Sequence, residues 1–253
     1  MKITRTIAET RAALADGQVG LVPTMGAYHA GHLSLFAAAR EENDLVVASL
    51  FVNPAQFGDP ADLAGYPRDE AADAAIAEEA GLDVLFAPRT DELYPGGYET
   101  WVDVTEASQG LEGAYRPGHF RGVATICLKL FNIVHPRRAY FGQKDAQQVE
   151  VVRRMVRDLN LDVELRVLPT VRDPDGLALS SRNTLLSEGE RSVALALPRA
   201  LATRDLALAR ELLEGLDVDY VEVAPFEPPT LAAAVRVGSV RLIDNVPLEG
   251  GPA

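Results

Sequence analysis

Through the first two thirds of the chain, apolar runs of strand length alternate with stretches whose apolar residues recur every three or four positions. The runs are Val19–Thr24, Leu45–Val52, Asp83–Ala87, Ala139–Gly142 and Val163–Leu168. Between them, Gly31–Arg40 carries Leu33, Phe36 and Ala37 at helical spacing, and Ala71–Ala80 reads as an acidic helix. Val123–Val134 places apolar side chains at 123, 126, 127, 130, 131 and 134, and Val149, Val152, Met155, Val156 and Leu159 form a further stripe. Such alternation predicts βαβ units: a parallel sheet with helices on both faces and ligands at the carboxyl ends of its strands.

The pattern breaks near Thr170 to Ser181, a polar loop whose Asp173-Pro174-Asp175-Gly176 is a turn signal. Ser187-Glu188-Gly189-Glu190 then has the form of a capping box opening a helix. Val218–Val223, Leu231–Val237 and Val240–Val246 follow, with a turn at Gly238-Ser239. The expected class is α/β, with a Rossmann-like domain over residues 1–170 and a smaller α+β domain over 171–253.

At 253 residues and 47% hydrophobic, the chain can bury a substantial core. No run of about 18 apolar residues is present, so no membrane span is expected. The polar start, Met1 to Arg11, does not read as a signal peptide. A cytoplasmic location follows as the expectation. Cys127, the one cysteine, sits in an apolar helical stripe and reads as a buried thiol. The net charge of −13 repels a phosphate backbone and argues against a nucleic-acid partner. It would repel an anionic substrate too, so any such substrate requires cationic groups gathered in one place.

Pro23-Thr24-Met25-Gly26-Ala27-Tyr28-His29-Ala30-Gly31-His32 joins a predicted strand to a predicted helix. Its glycines let backbone approach a ligand closely, and the helix start offers unpaired N–H groups suited to phosphate. His29 and His32, three apart, share a helix face and can donate to phosphate oxygens. The plainer reading is a pair of capping histidines beside a Gly-rich turn. A metal pair is disfavoured, because no carboxylate or Cys lies nearby in sequence to complete a site.

Further blocks follow: Phe51-Val52-Asn53-Pro54-Ala55-Gln56-Phe57-Gly58, Tyr66-Pro67-Arg68, Tyr115-Arg116-Pro117-Gly118-His119-Phe120-Arg121-Gly122-Val123, Phe141-Gly142-Gln143-Lys144-Asp145-Ala146-Gln147-Gln148 and Asp175 through Asn183. With the His-bearing segment they resemble, in order and spacing, the pantothenate synthetase (pantoate–β-alanine ligase) family of HIGH-type nucleotidyltransferases. Arg241-Leu242-Ile243-Asp244-Asn245 continues the resemblance near the end.

The resemblance implies condensation of pantoate with β-alanine, using ATP and magnesium, through a pantoyl-adenylate, with release of AMP and pyrophosphate by a homodimer. It assigns His32, His29, Lys144 and Arg182 to catalysis. Met25, Gly26, Ala27, Tyr28, Ala30, Gly31, Gly142, Gln143, Asp145, Val171, Leu179, Ser180 and Ser181 join those four around ATP. Gln56, Gln148, Asn53, Arg116 and Tyr66 are assigned to substrate, and Asp73 to the neighbourhood of the metal. Such a site works by placing two anions together and stabilising charge at phosphorus, with little covalent chemistry by the protein.

Four departures stand out. Gln143 stands where the family usually has Glu, Leu179 where Met is usual, and Tyr28 where Leu is usual. The second domain is short, with Glu227-Pro228-Pro229 bridging a deletion. Two alternatives are another HIGH-type nucleotidyltransferase, which has no need of Asn53-Pro54-Ala55-Gln56 or Gln148, and a non-catalytic ATP-binding paralogue. The second predicts damage at His29, His32, Lys144 or Arg182, and all four are intact.

Overall fold

The computed structural model describes residues 1–14 and 17–248; the last five residues of the expected second domain lie outside them. The chain forms two compact units whose division is not a single cut along the sequence. The first comprises Met1–Tyr28, His32–Phe141 and Val151–Leu168; the second comprises His29–Gly31, Gly142–Glu150 and Pro169–Ala253.

The first unit holds a six-stranded parallel sheet with helices on both sides, made of β1 (Lys2–Thr4), β2 (Val19–Thr24), β3 (Leu45–Leu50), β4 (Val84–Phe86), β5 (Arg138–Gly142) and β6 (Glu164–Leu168). Strands covered by helices on both faces read as continuous apolar runs, and β3 and β4 are buried through nearly their whole length. Val22, Phe36, Val46, Ala48, Leu85 and Tyr140 pack in this core. Helix His119–Val134 is buried along most of its length, and it ends where His135 turns left-handed at φ 48°. Cys127 is buried within it, which pushes its thiol up to about 12.

The strand order is β1-β4-β3-β2-β5-β6. The chain proceeds outward from β2 through β3 to β4, then returns to β5 on the other side of β2. The segments leaving the carboxyl ends of β2 and β5 therefore start side by side, at the reversal where open α/β sheets bind ligands. These are the His-bearing segment and Gly142-Gln143-Lys144.

Two elements at the start of the chain escape the hydrophobic pattern. β1 pairs with β4 over three residues, of which only Thr4 is buried. Helix Ile7–Ala13 is opened by a capping box of Thr6 and Glu9.

The second unit carries an antiparallel sheet of β7 (Asp217–Ala224), β8 (Thr230–Val237) and β9 (Val240–Pro247), in the order β7-β8-β9. The expected capping box is present: Ser187 and Glu190 open helix Glu188–Ala194. Leu197 and Leu201 of helix Ala196–Ala202 pack with Leu231, Ala233 and Val235 of the middle strand.

Candidate active site

The turn after β2 is held in an uncommon backbone conformation. Gly26 has φ 90° and Ala27 has φ 55°, both left-handed, and the second is costly for a residue with a Cβ. Asp73, on helix Glu70–Glu79 and only 4% exposed, supports it. One carboxylate oxygen accepts from Ala27 N at 2.9 Å and the other from Tyr28 N at 2.8 Å. A Cβ on Gly26 would stand 2.6 Å from both Asp73 Oδ2 and Leu50 Cδ1. Gly26→Ala is therefore expected to lose about 1–3 kcal/mol of stability and to depress AMP formation with it. An urea melt within 0.5 kcal/mol of the unsubstituted protein, the ordinary scatter of surface substitutions, would contradict this.

Beyond the turn, the Tyr28 ring lies 5.3 Å from that of His32 and edge-on to Phe36 at 5.1 Å. Its hydroxyl accepts from Thr24 Oγ1 at 3.2 Å. Tyr28 thus packs as an aromatic wall against the catalytic candidate.

A second cluster supports Gln56. Asn53 is 1% exposed, and its amide is used by the protein at both ends. Its Oδ1 caps Ala55 N, while its Nδ2 donates to Gly122 O at 3.1 Å and Gln56 Oε1 at 3.0 Å. His119 Nδ1 lies 2.9 Å from Gln56 O, and Arg116 Nη1 lies 3.3 Å from His119 Nε2. A carbonyl only accepts, so Nδ1 carries the proton and Nε2 accepts from Arg116. Asn53 holds the Gln56 amide oxygen and His119, braced by Arg116, holds its backbone carbonyl, while Gln56 Nε2 meets no protein acceptor among the described residues. Gly122 makes this packing possible, since a Cβ there would lie 2.3 Å from Ala55 O. His119 and Gly122 had been visible only as parts of a motif. Tyr66 packs edge-on against Phe57 at 5.8 Å.

An open pocket of about 650 Å³ lies at the carboxyl ends of β2, β3 and β4, with Met25, Phe51, Val52, Arg68, Asp73 and Tyr94 in its lining. Its apolar wall faces two guanidiniums, Arg68 and Arg89, and the carboxylates of Asp69, Glu70, Asp73 and Asp91.

The second unit gathers three segments distant in sequence. His29 Nδ1 accepts from Gly31 N at 3.1 Å, which leaves the ring proton on Nε2 in the neutral form. Burial lowers the His29 pKa, as does the nearby Lys144 charge, against opposing effects of Asp145 and Asp173. The folded state therefore prefers the neutral ring. Its contribution to stability is full above the ordinary value of 6.5 and declines as pH falls below it. Lys144, its side chain 20% exposed, has Asp145 Oδ1 at 3.8 Å from Nζ. Gln148 is part-exposed near the start of helix Ala146–Asp158.

Val171 to Arg182 forms a short hairpin: Leu179 N donates to Val171 O at 3.0 Å and Asp173 N to Leu177 O at 2.8 Å. Ser180 caps the turn that follows, accepting from Arg182 N. Ser181 and Arg182 begin that turn, and Asn183 fastens it by donating to Ala178 O at 2.9 Å.

The family model described as Pantoate-beta-alanine ligase matches residues 2–247. Pantothenate synthetase 1 of Bradyrhizobium diazoefficiens is 48% identical over 283 aligned positions covering the whole of both chains. The pantothenate synthetase of Chloroflexus aurantiacus is 51% identical over 99% of each. Among solved structures, the Thermus thermophilus pantothenate synthetase matches with a TM-score of 0.93 at 47% identity, covering 98% of this chain and 99% of that one. The Francisella tularensis pantoate-beta-alanine ligase, complexed with β-γ ATP and β-alanine, matches with a TM-score of 0.89 at 36% identity over all of both chains. The family model covers nearly the whole chain and these relatives are 48% and 51% identical to it, so this chain belongs to the pantoate-beta-alanine ligase family.

Proposed function

We propose that this ligase joins pantoate to β-alanine mainly by positioning. The observation that carries the reading is the family match over residues 2–247. A pantoate carboxylate oxygen attacks the α-phosphorus of ATP and pyrophosphate leaves. The β-alanine amine then attacks the acyl carbon, loses a proton, and AMP departs with the oxygen that came from pantoate.

In the first unit, Gln56 presents Nε2 to pantoate, with Asn53, His119 and Arg116 holding it. The pocket walled by Met25, Phe51 and Val52 receives the branched carbon chain. His32, backed by Tyr28, donates to the phosphates. In the second unit, His29 Nε2, Lys144, Ser180, Ser181 and Arg182 supply donors and positive charge to the triphosphate, where charge builds as pyrophosphate separates. Gln148 is the second amide for pantoate. Carrying the substrate's oxygen into AMP is the signature of this route. Pantoate labelled with ¹⁸O in its carboxylate is expected to yield AMP containing one ¹⁸O; unlabelled AMP would overturn the adenylate.

Magnesium supplies charge neutralisation on the phosphates. Among the described residues no three His, Cys, Asp or Glu side chains stand together as a metal site, and both Asp73 oxygens hold backbone N–H groups. The residues do not fit a metal centre held by the protein alone, and magnesium enters with ATP. Asp73 is assigned to the turn.

The Bradyrhizobium alignment runs over 283 positions against 253 residues here, so that relative carries residues this chain lacks. We place the loss in the second unit, acting as a lid that keeps water from the adenylate. AMP is then expected to exceed pantothenate in full reaction mixtures; a ratio of one would end the idea. A homodimer and a cytoplasmic location complete the reading. No described helix is long and apolar enough to cross a membrane.

A further inference from the structure

Two adjacent residues of β9 are buried, although alternation along a strand sends them to opposite faces. Asp244 is 2% exposed and Asn245 is 5% exposed. Each holds a different loop of the second unit. Asn245 Nδ2 donates to Gln143 O at 3.0 Å and to Lys144 O at 2.8 Å, and its Oδ1 accepts from Gln143 Nε2 at 3.1 Å. The whole amide is therefore committed to the segment that carries Lys144. Asp244 takes the Arg172 guanidinium with both oxygens, at 2.6 Å and 3.0 Å. Arg172 Nη1 also donates to Gly176 O at 3.1 Å, across the hairpin that leads into Ser180, Ser181 and Arg182. The two halves are joined, since Asn245 N donates to Asp244 Oδ1 at 2.8 Å.

We propose that Asp244 and Asn245 are positioning residues for ATP: together they set the Lys144 segment and the Val171–Arg182 hairpin at the spacing a triphosphate requires. The proposal rests on the functional reading above. Neither residue carries charge to the ligand. Asp244 is neutralised by Arg172, and Asn245 is neutral and turned to backbone carbonyls. Gln143 takes part through its own amide, donating to Asn245 Oδ1. A carboxylate at 143 would have no proton to donate there, so the amide at this position suits the node as it is built.

A merely structural role and a positioning role differ in what they disturb. The same sheet holds a second buried carboxylate, Asp219, which pairs with Arg236 at 3.1 Å and with Arg241 at 2.5 Å. These partners lie on the other strands of the sheet, away from residue 143 and the hairpin in sequence, and Asp219 serves as the control.

The test measures kcat, KM for ATP and KM for pantoate, with thermal melting, for Asn245→Ala, Asp244→Asn and Asp219→Asn in the full chain with magnesium-ATP. Losing two donors to the Lys144 segment is expected to raise KM for ATP about tenfold in Asn245→Ala, with KM for pantoate within twofold. Asp219→Asn is expected to lower the melting temperature while leaving both KM values within twofold. Gln143→Ala, which removes a surface-side partner and leaves Asn245 free to keep both carbonyls, provides a milder variant should Asn245→Ala not fold. Its KM for ATP is expected to rise about threefold. The proposal is overturned if KM for ATP stays within twofold in the folded Asn245 and Gln143 variants, or if Asp219→Asn shifts it as much. Absence of pantoate-dependent AMP release from the unsubstituted protein would instead overturn the functional reading itself.

Discussion

Lys144→Ala is expected to lower the rate of pantoyl-adenylate formation by about 10²–10³-fold, the usual consequence of removing one donor aimed at charge that develops in a transition state. The lysine follows β5 at the strand-order reversal, and its backbone carbonyl is held by Asn245. Its side chain is largely covered and stands near His29, whose pKa it helps to lower. That proximity gives a second readout independent of turnover. Without the neighbouring cation the His29 pKa should rise toward its ordinary value, visible by NMR titration of the ring. Lys144→Arg keeps the charge but spreads it over a planar fork, so it is expected to restore little activity. Rates within tenfold together with an unmoved His29 titration would return Lys144 to an ordinary surface lysine.

Asp73→Asn is expected to cost about 1–3 kcal/mol of stability, because an amide cannot accept both N–H groups that the buried carboxylate accepts. The kinetic effect should be larger, about 10²-fold in kcat/KM, since a small displacement of the His-bearing turn misplaces reacting groups. Magnesium separates the two roles open to this residue. If Asp73 braces the turn, raising magnesium leaves the variant as impaired as before. Recovery at high magnesium would mean that the carboxylate helps hold the cation after all.

The parallel sheet was legible because its inner strands are mostly buried and apolar, while the helices between them keep a 3.6-residue period. β1 was not legible: it is a three-residue edge strand with one buried side chain, and its place depends on β4, some eighty residues later. The Thr6 to Glu9 capping box was the available signal for the helix after it. At the site, residue types and order pointed to the chemistry, but not to which groups support the others. Asn53 and Gln56 look equivalent as amides in a loop. Only the fold shows that Asn53 is committed to Gly122 and to Gln56 itself. Asp73 looks like one acid of an acidic helix until the turn after β2 is seen resting on it. The roles of Asp244 and Asn245 were hidden for a similar reason: their partners lie some seventy and a hundred residues earlier.

The measurement that bears most directly on the account is AMP release from magnesium-ATP, with pantoate and β-alanine supplied singly and together. Sustained release that requires both, with pantothenate appearing, is the predicted result; pantoate alone should give only adenylate and its slow hydrolysis. No release with pantoate in any combination would contradict the ligase reading.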